Sequence, residues 1–194
     1  MNKNIVLCGV GGQGTVLASK LIAAAAMNKD LPVMSAETIG MAQRGGSVFS
    51  HVRIGKNAVS PMIAHKEADI IIGFEPGEAV RVLPFLKDGG TVITSSRAIS
   101  PVTATLTGSS YNGGEMLDYL KKHIKNLFVI DTQKACSEIG SPKALNTLLL
   151  GAAVQSGALG LSEEDMKKAV ISRLPEKFHA LNFSALEYVR RHSS

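Results

Sequence analysis

The chain has 194 residues, 45% of them hydrophobic, and a formal charge of +5. That length suits a single domain over residues 1–194 with a full core, and no stretch nears the roughly 20 uninterrupted apolar residues of a membrane helix. The mild positive excess suits an anionic ligand or an acidic partner, whereas 5% aromatics, no tryptophan and no aromatic-interleaved basic strand argue against nucleic acid.

Met1-Asn2-Lys3-Asn4 leads straight into a strand pattern without an apolar signal region, so the expected location is cytoplasmic. The pattern then alternates strand and helix, which predicts an α/β fold: a Rossmann-like, mostly parallel sheet flanked by helices. Strands are expected over Ile5–Val10, Leu31–Ala36, Val48–Ile54, Ala68–Phe74, Thr91–Thr94 and Leu127–Ile130. Ala68–Phe74 is continuous and β-branched, as buried parallel strands are. Helices are expected over Thr15–Met27, Pro76–Leu86 and Glu115–Ile124. The C-terminal third reads as helical. Ser141-Pro142 and Ser162-Glu163-Glu164-Asp165 are helix starts, and Phe178, Leu181, Ala185 and Val189 form one stripe over Glu176–Arg191.

Gly9-Val10-Gly11-Gly12-Gln13-Gly14 sits between the first strand and the first helix. Gly9, Gly11 and Gly14 satisfy G-x-G-x-x-G. Glycine lets a ligand approach the backbone, and a helix start offers free N–H groups and the positive end of its dipole. A phosphate-binding turn is one reading; a tight structural turn is the other. Glu37 stands where a dinucleotide fold places its ribose-binding acid. The chain departs from that fold next: Thr38–Ser47 contains Arg44, Gly45, Gly46 and Ser47 and leads into a strand, not a helix. Such a loop offers a guanidinium and bare N–H groups to phosphate or carboxylate, or is a glycine-rich hairpin with a surface arginine.

Gly9–Gly14 together with Met41-Ala42-Gln43-Arg44-Gly45-Gly46-Ser47-Val48 resembles the gamma-type domain of the 2-oxoacid:ferredoxin oxidoreductases. The likeness continues through Ser60-Pro61, Ala68-Asp69, Phe74-Glu75-Pro76, Pro84-Phe85-Leu86 and Gly89-Gly90-Thr91-Val92. It then takes in Asn146, Leu149-Leu150-Gly151-Ala152, Lys177 and Asn182, and is greatest to the small (beta) subunits of the indolepyruvate branch. The resemblance implies oxidative decarboxylation of an arylpyruvate with coenzyme A to acyl-CoA, carbon dioxide and reduced ferredoxin. It implies that thiamine diphosphate and the [4Fe-4S] clusters sit on a large companion subunit, through which ferredoxin is reached. By the same resemblance this domain helps form the coenzyme A site, through Gly9, Gly11, Gly12, Gln13 and Gly14 and the facing Arg44, Gly45, Gly46 and Ser47. It implies no catalytic residue on this chain. The composition agrees: Cys8 and Cys136 are the only cysteines and form no C-x-x-C, so any cluster belongs to another chain. Other 2-oxoacids (pyruvate, 2-oxoglutarate or a branched-chain acid) and a stand-alone NAD(P)- or flavin-binding reductase are the alternative readings.

The remaining candidates read as structural. His51, His65, His123, His179 and His192 show no ligand spacing, so no metal site is expected. His51 suits a hydrogen-bonded strand position. Asp69, Glu75 and Glu78 suit a helix dipole, and Asn146 a buried amide tying down a loop. A chain separated from its companion is expected to expose an apolar patch and to self-associate into a homodimer.

Overall fold

A computed structural model describes residues 1–39, 46–100 and 111–192. Six strands form one sheet: β1 (Lys3–Val10), β2 (Val33–Ile39), β3 (Ser47–Ile54), β4 (Ala68–Gly73), β5 (Leu86–Ser95) and β6 (Asn126–Ile130), in the order β2-β3-β1-β4-β5-β6. β1 pairs in parallel with β4 from Ile5↔Ile70 to Cys8↔Gly73, and β4–β5 and β5–β6 are also parallel. β3 alone runs the other way, antiparallel to both β1 and β2. The expected mostly parallel sheet is therefore present, with one reversed strand inserted beside its centre.

Period-2 patterning explains the layers. Ile5, Leu7, Ile70 and Ile72 face the helices α1 (Thr15–Met27), α5 (Leu145–Gln155), α6 (Glu163–Arg173) and α7 (His179–His192). Val6, Cys8, Ile71 and Val92 face α2 (Pro76–Arg81) and α3 (Gly113–His123). Ile5 to Cys8 are wholly buried, as a central strand covered on both faces must be. Ala18 and Ala24–Ala26 let α1 lie close on the sheet. The stripe on α7 packs inward through Ala185, with Leu181 and Val189 half-buried beside it.

Several boundaries differ from expectation. β2 starts at Val33, two residues late, and β5 starts at Leu86, because Ala68 pairs with Leu86 before the register shifts to Ile70↔Thr91. The helix expected over Pro76–Leu86 stops at Arg81, and a 3-10 turn, Leu83–Phe85, carries Pro84 where an α-helix would lose its hydrogen bond. α4 (Thr132–Ile139) was not expected. Its signals are short-range: the Asp131 side chain accepts the Lys134 N–H at 3.0 Å, and Gly140 closes it at φ 85°. A 3-10 turn, Pro142–Ala144, precedes α5, and a capping box between Ser162 and Asp165 opens α6.

Candidate functional site

The glycine turn is built from inside. The Gln13 side chain is held within the fold: its Oε1 accepts the Val10 N–H at 2.7 Å, and its Nε2 donates to the Phe74 carbonyl at 2.8 Å. It staples the turn to the ends of β1 and β4. A Cβ on Gly9 would lie 2.7 Å from Gln13 Oε1 and 2.8 Å from Phe74 Cβ, so packing alone demands glycine there. Gly11 donates its N–H to the Gly46 carbonyl at 2.9 Å, which brings the two glycine-containing loops together at the C-terminal edge of the sheet. Gly12 and Gly14 have φ values of 101° and 85°, the left-handed region open to glycine. Among the described residues no side chain caps α1, so none of them takes up its first-turn N–H groups through a cap.

Beside this turn lies a cleft of about 840 Å³, at the end of β5 and between α1, α4 and the start of α5. Its residues include Gly12, Gln13, Gly14, Leu17, Ser95, Arg97, Thr132, Cys136, Lys143 and Asn146. The buried hydroxyls of Ser95 and Thr132 are 2.6 Å apart at the join of β5 and α4. Ser95 Oγ also accepts the Arg97 N–H at 3.0 Å, which fixes the chain as it leaves the strand. No aspartate or glutamate is among the described residues lining the cleft, while Arg97 and Lys143 both are. The cleft is therefore electropositive, with the start of one helix opening into it. Burial pushes the Cys136 thiol up, and the Arg97 guanidinium works against that shift.

The residues marked out by sequence divide into three groups. Gly12, Gln13 and Gly14 line the cleft. Gly9, Gly11 and Gly46 lie behind it, and Ser47 Oγ donates to Glu78 on α2. Arg44 and Gly45 fall outside the described residues. Arg97, Thr132 and Lys143 were not marked out. The rule that ligands collect at the carboxyl ends of parallel strands would have found Ser95 to Arg97. The position of Lys143 depends on how α4 folds back.

The other candidates have defined places. Glu37 accepts from Ser19 Oγ at 3.2 Å and stands two strand spacings, about 10 Å, from β1, because β3 intervenes. In a plain dinucleotide fold that strand would be the immediate neighbour of β1. His51 is fully buried, accepts the Ile63 N–H at 3.2 Å through Nδ1, and packs nearly perpendicular to Phe85. Burial lowers its pKa. Glu75 caps α2 by accepting the Glu78 N–H at 2.9 Å and also takes the Tyr111 hydroxyl. Burial, then that carboxylate, drives the Tyr111 pKa up. Asp69 sits at the opposite end of the sheet, where it accepts the Asn4 N–H at 2.7 Å and pairs with Lys87. The basic runs at Lys121–His123 and Arg190–His192 close α3 and α7.

A family model described as pyruvate ferredoxin/flavodoxin oxidoreductase matches residues 4–191. The chain belongs to that family. As a member of the oxidoreductase family it is similar to the indolepyruvate oxidoreductase subunit IorB of Thermococcus kodakarensis, at 37% identity over 95% of this chain and 92% of that one. IorB of Archaeoglobus fulgidus is 37% identical over 96% and 93%. The crystal structure of a keto/oxoacid ferredoxin oxidoreductase gamma subunit from Geobacter sulfurreducens shares the fold, with a TM-score of 0.69, 24% identity, and 95% and 94% of the two chains covered. The chain is thus an oxidoreductase subunit of the size of its relatives. Among the described residues, no helix is long and apolar enough to cross a membrane, and no three His, Cys, Asp or Glu side chains gather to hold a metal ion.

Proposed function

We propose that the chain is the non-cluster subunit of an indolepyruvate:ferredoxin oxidoreductase and helps to build its coenzyme A site. Similarity at 37% identity across nearly the full length of IorB chains carries this reading. The reaction is oxidative decarboxylation: an arylpyruvate and coenzyme A give acyl-CoA, carbon dioxide and two electrons for ferredoxin. Thiamine diphosphate and the [4Fe-4S] clusters belong to the large companion subunit, and ferredoxin is reached through it. The cleft suits coenzyme A. Arg97, Lys143 and the open start of α1 match its phosphates, and Leu17 and Leu145 match less polar parts. When bound, coenzyme A supplies the thiol that takes up the acyl group. The chain's own part is to hold the anionic end and to seat the ligand against the companion. In the cell the complex is cytoplasmic. Without the companion the chain forms a homodimer through exposed apolar surface.

An anaerobic dye-reduction assay tests this. The companion subunit is assayed with and without the chain, on indolepyruvate or phenylpyruvate plus coenzyme A. Activity that requires the chain supports the proposal. Full activity without it, or activity only with pyruvate, 2-oxoglutarate or branched-chain acids, overturns the subunit role or the substrate respectively.

A further inference from the structure

Asn146 is only 6% exposed and lines the cleft at the second position of α5. Its Oδ1 accepts the Thr147 N–H at 3.0 Å. That bond fixes which end of the amide is which, because a flipped amide would oppose two donors. The Nδ2 end therefore faces the glycine turn and would lie 3.0 Å from a Cβ on Gly14. No described residue accepts its protons, whereas three polar neighbours are engaged: Gln13 with Val10 and Phe74, Thr147 with Asn182 at 2.8 Å, Ser95 with Thr132. The amide nitrogen is not a sealed, unpartnered atom: it opens to the cleft, where an acceptor from outside the chain can reach it.

The same cleft holds three further donor or cationic features. Among the described residues no side chain caps α1, and the exposed side chains of Arg97 and Lys143 have no carboxylate partner. All four features donate or carry positive charge, and no acid offsets them. A neutral carbonyl would answer the amide but leave the cations unmatched. A multiply charged oxyanion answers all of them.

We propose that Asn146 is a specificity-determining residue whose amide N–H grips a phosphate oxygen of the bound molecule at the open start of α1. This deepens the coenzyme A reading, on which it rests for the identity of the ligand but not for the anion chemistry. It also gives a ligand-side reason for glycine at position 14, since any Cβ there would crowd the amide nitrogen and the ligand oxygen it holds.

The test has two arms. In the first, the full chain is titrated with inorganic pyrophosphate while the side-chain NH2 signals of Asn146 are followed by NMR. Those signals move on saturation if the proposal holds, and stay in place if it fails. In the second, Asn146→Asp keeps the size and the acceptor for Thr147 but replaces the donor with a negative charge. Pyrophosphate binding weakens about tenfold or more, and in the assembled complex the KM for coenzyme A rises by a similar factor, the scale of one lost charge-assisted hydrogen bond. An unchanged KM for coenzyme A overturns the inference while leaving the subunit role intact. Pyrophosphate-dependent shifts at Asn146 in a chain that supports no 2-oxoacid oxidation uphold the anion site and overturn the function proposed above. The NMR arm uses the native chain, so the test survives a variant that does not fold.

Discussion

At the residue scale, the glycine turn contains positions of two kinds. Gly9 is glycine because Gln13 and Phe74 fill the space a side chain would need. Gly12, with φ 101° and nothing within 4 Å of its missing Cβ, faces open space. Gly9→Ala therefore overpacks the base of the turn and is expected to destabilise the chain by about 1–3 kcal/mol. Gly12→Ala carries only the backbone strain of a left-handed residue, about 1–2 kcal/mol. Thermal unfolding of the two variants checks the order. His51 sets a pH dependence. Burial holds its folded pKa below that of the unfolded chain, so the unfolded state binds a proton that the folded state refuses. Stability then falls as pH drops through about 6.5, and does so until the folded group itself titrates. His51→Gln keeps an acceptor for the Ile63 N–H and should flatten this part of the stability curve, read from urea midpoints between about pH 7 and 5.

At the element scale, α5 and α7 pack tightly against each other at Gly151. A Cβ there would stand 2.3 Å from the Leu186 carbonyl oxygen, which belongs to backbone and cannot rotate away. Thr147 donates to Asn182 at 2.8 Å, and Asn182 in turn donates to the Phe178 carbonyl at 2.7 Å, so the buried contact is both tight and polar. Gly151→Ala is expected to cost about 3 kcal/mol, the upper end for overpacking, because the helices must separate. Because α5 also carries Asn146, the same variant should weaken pyrophosphate binding, and calorimetry of stability and of binding would show both. The long strands were legible in the sequence because burial on both faces leaves unbroken apolar runs: Ile5–Cys8 and Ile70–Ile72 alternate between two cores. α4 was not, since its eight residues are mostly polar and only Ala135 and Thr132 are buried. Its Asp131 cap and Gly140 stop were in view, but such signals do not by themselves outweigh an ordinary loop.

At the scale of the whole molecule, periodicity names strands but not their neighbours. Nothing in Val48–Ile54 announces that it pairs with β1 and moves β2 to the edge. That one insertion separates Glu37 from the glycine turn. It also makes the chain entering β3, where Gly46 meets Gly11, a neighbour of the cleft. The candidate site was half legible for the same reason. Gly12, Gln13 and Gly14 are local in sequence, whereas Arg97, Thr132, Lys143 and Asn146 come together only through the sheet's crossovers. The reversed strand also divides the labour between the two ends of the sheet. The connection out of β3, residues 55–67, emerges at the end remote from the cleft, and Val59 at its tip is 88% exposed. A peptide bond there is open to a protease and distant from any ligand. Cleavage at Val59 would leave one fragment with β1, β2 and β3 and another with β4, β5 and β6. The fully buried β1–β4 ladder runs between them. The nicked protein is expected to elute as one particle that still binds pyrophosphate, so the two pieces could be labelled separately and the cleft rebuilt from them by complementation.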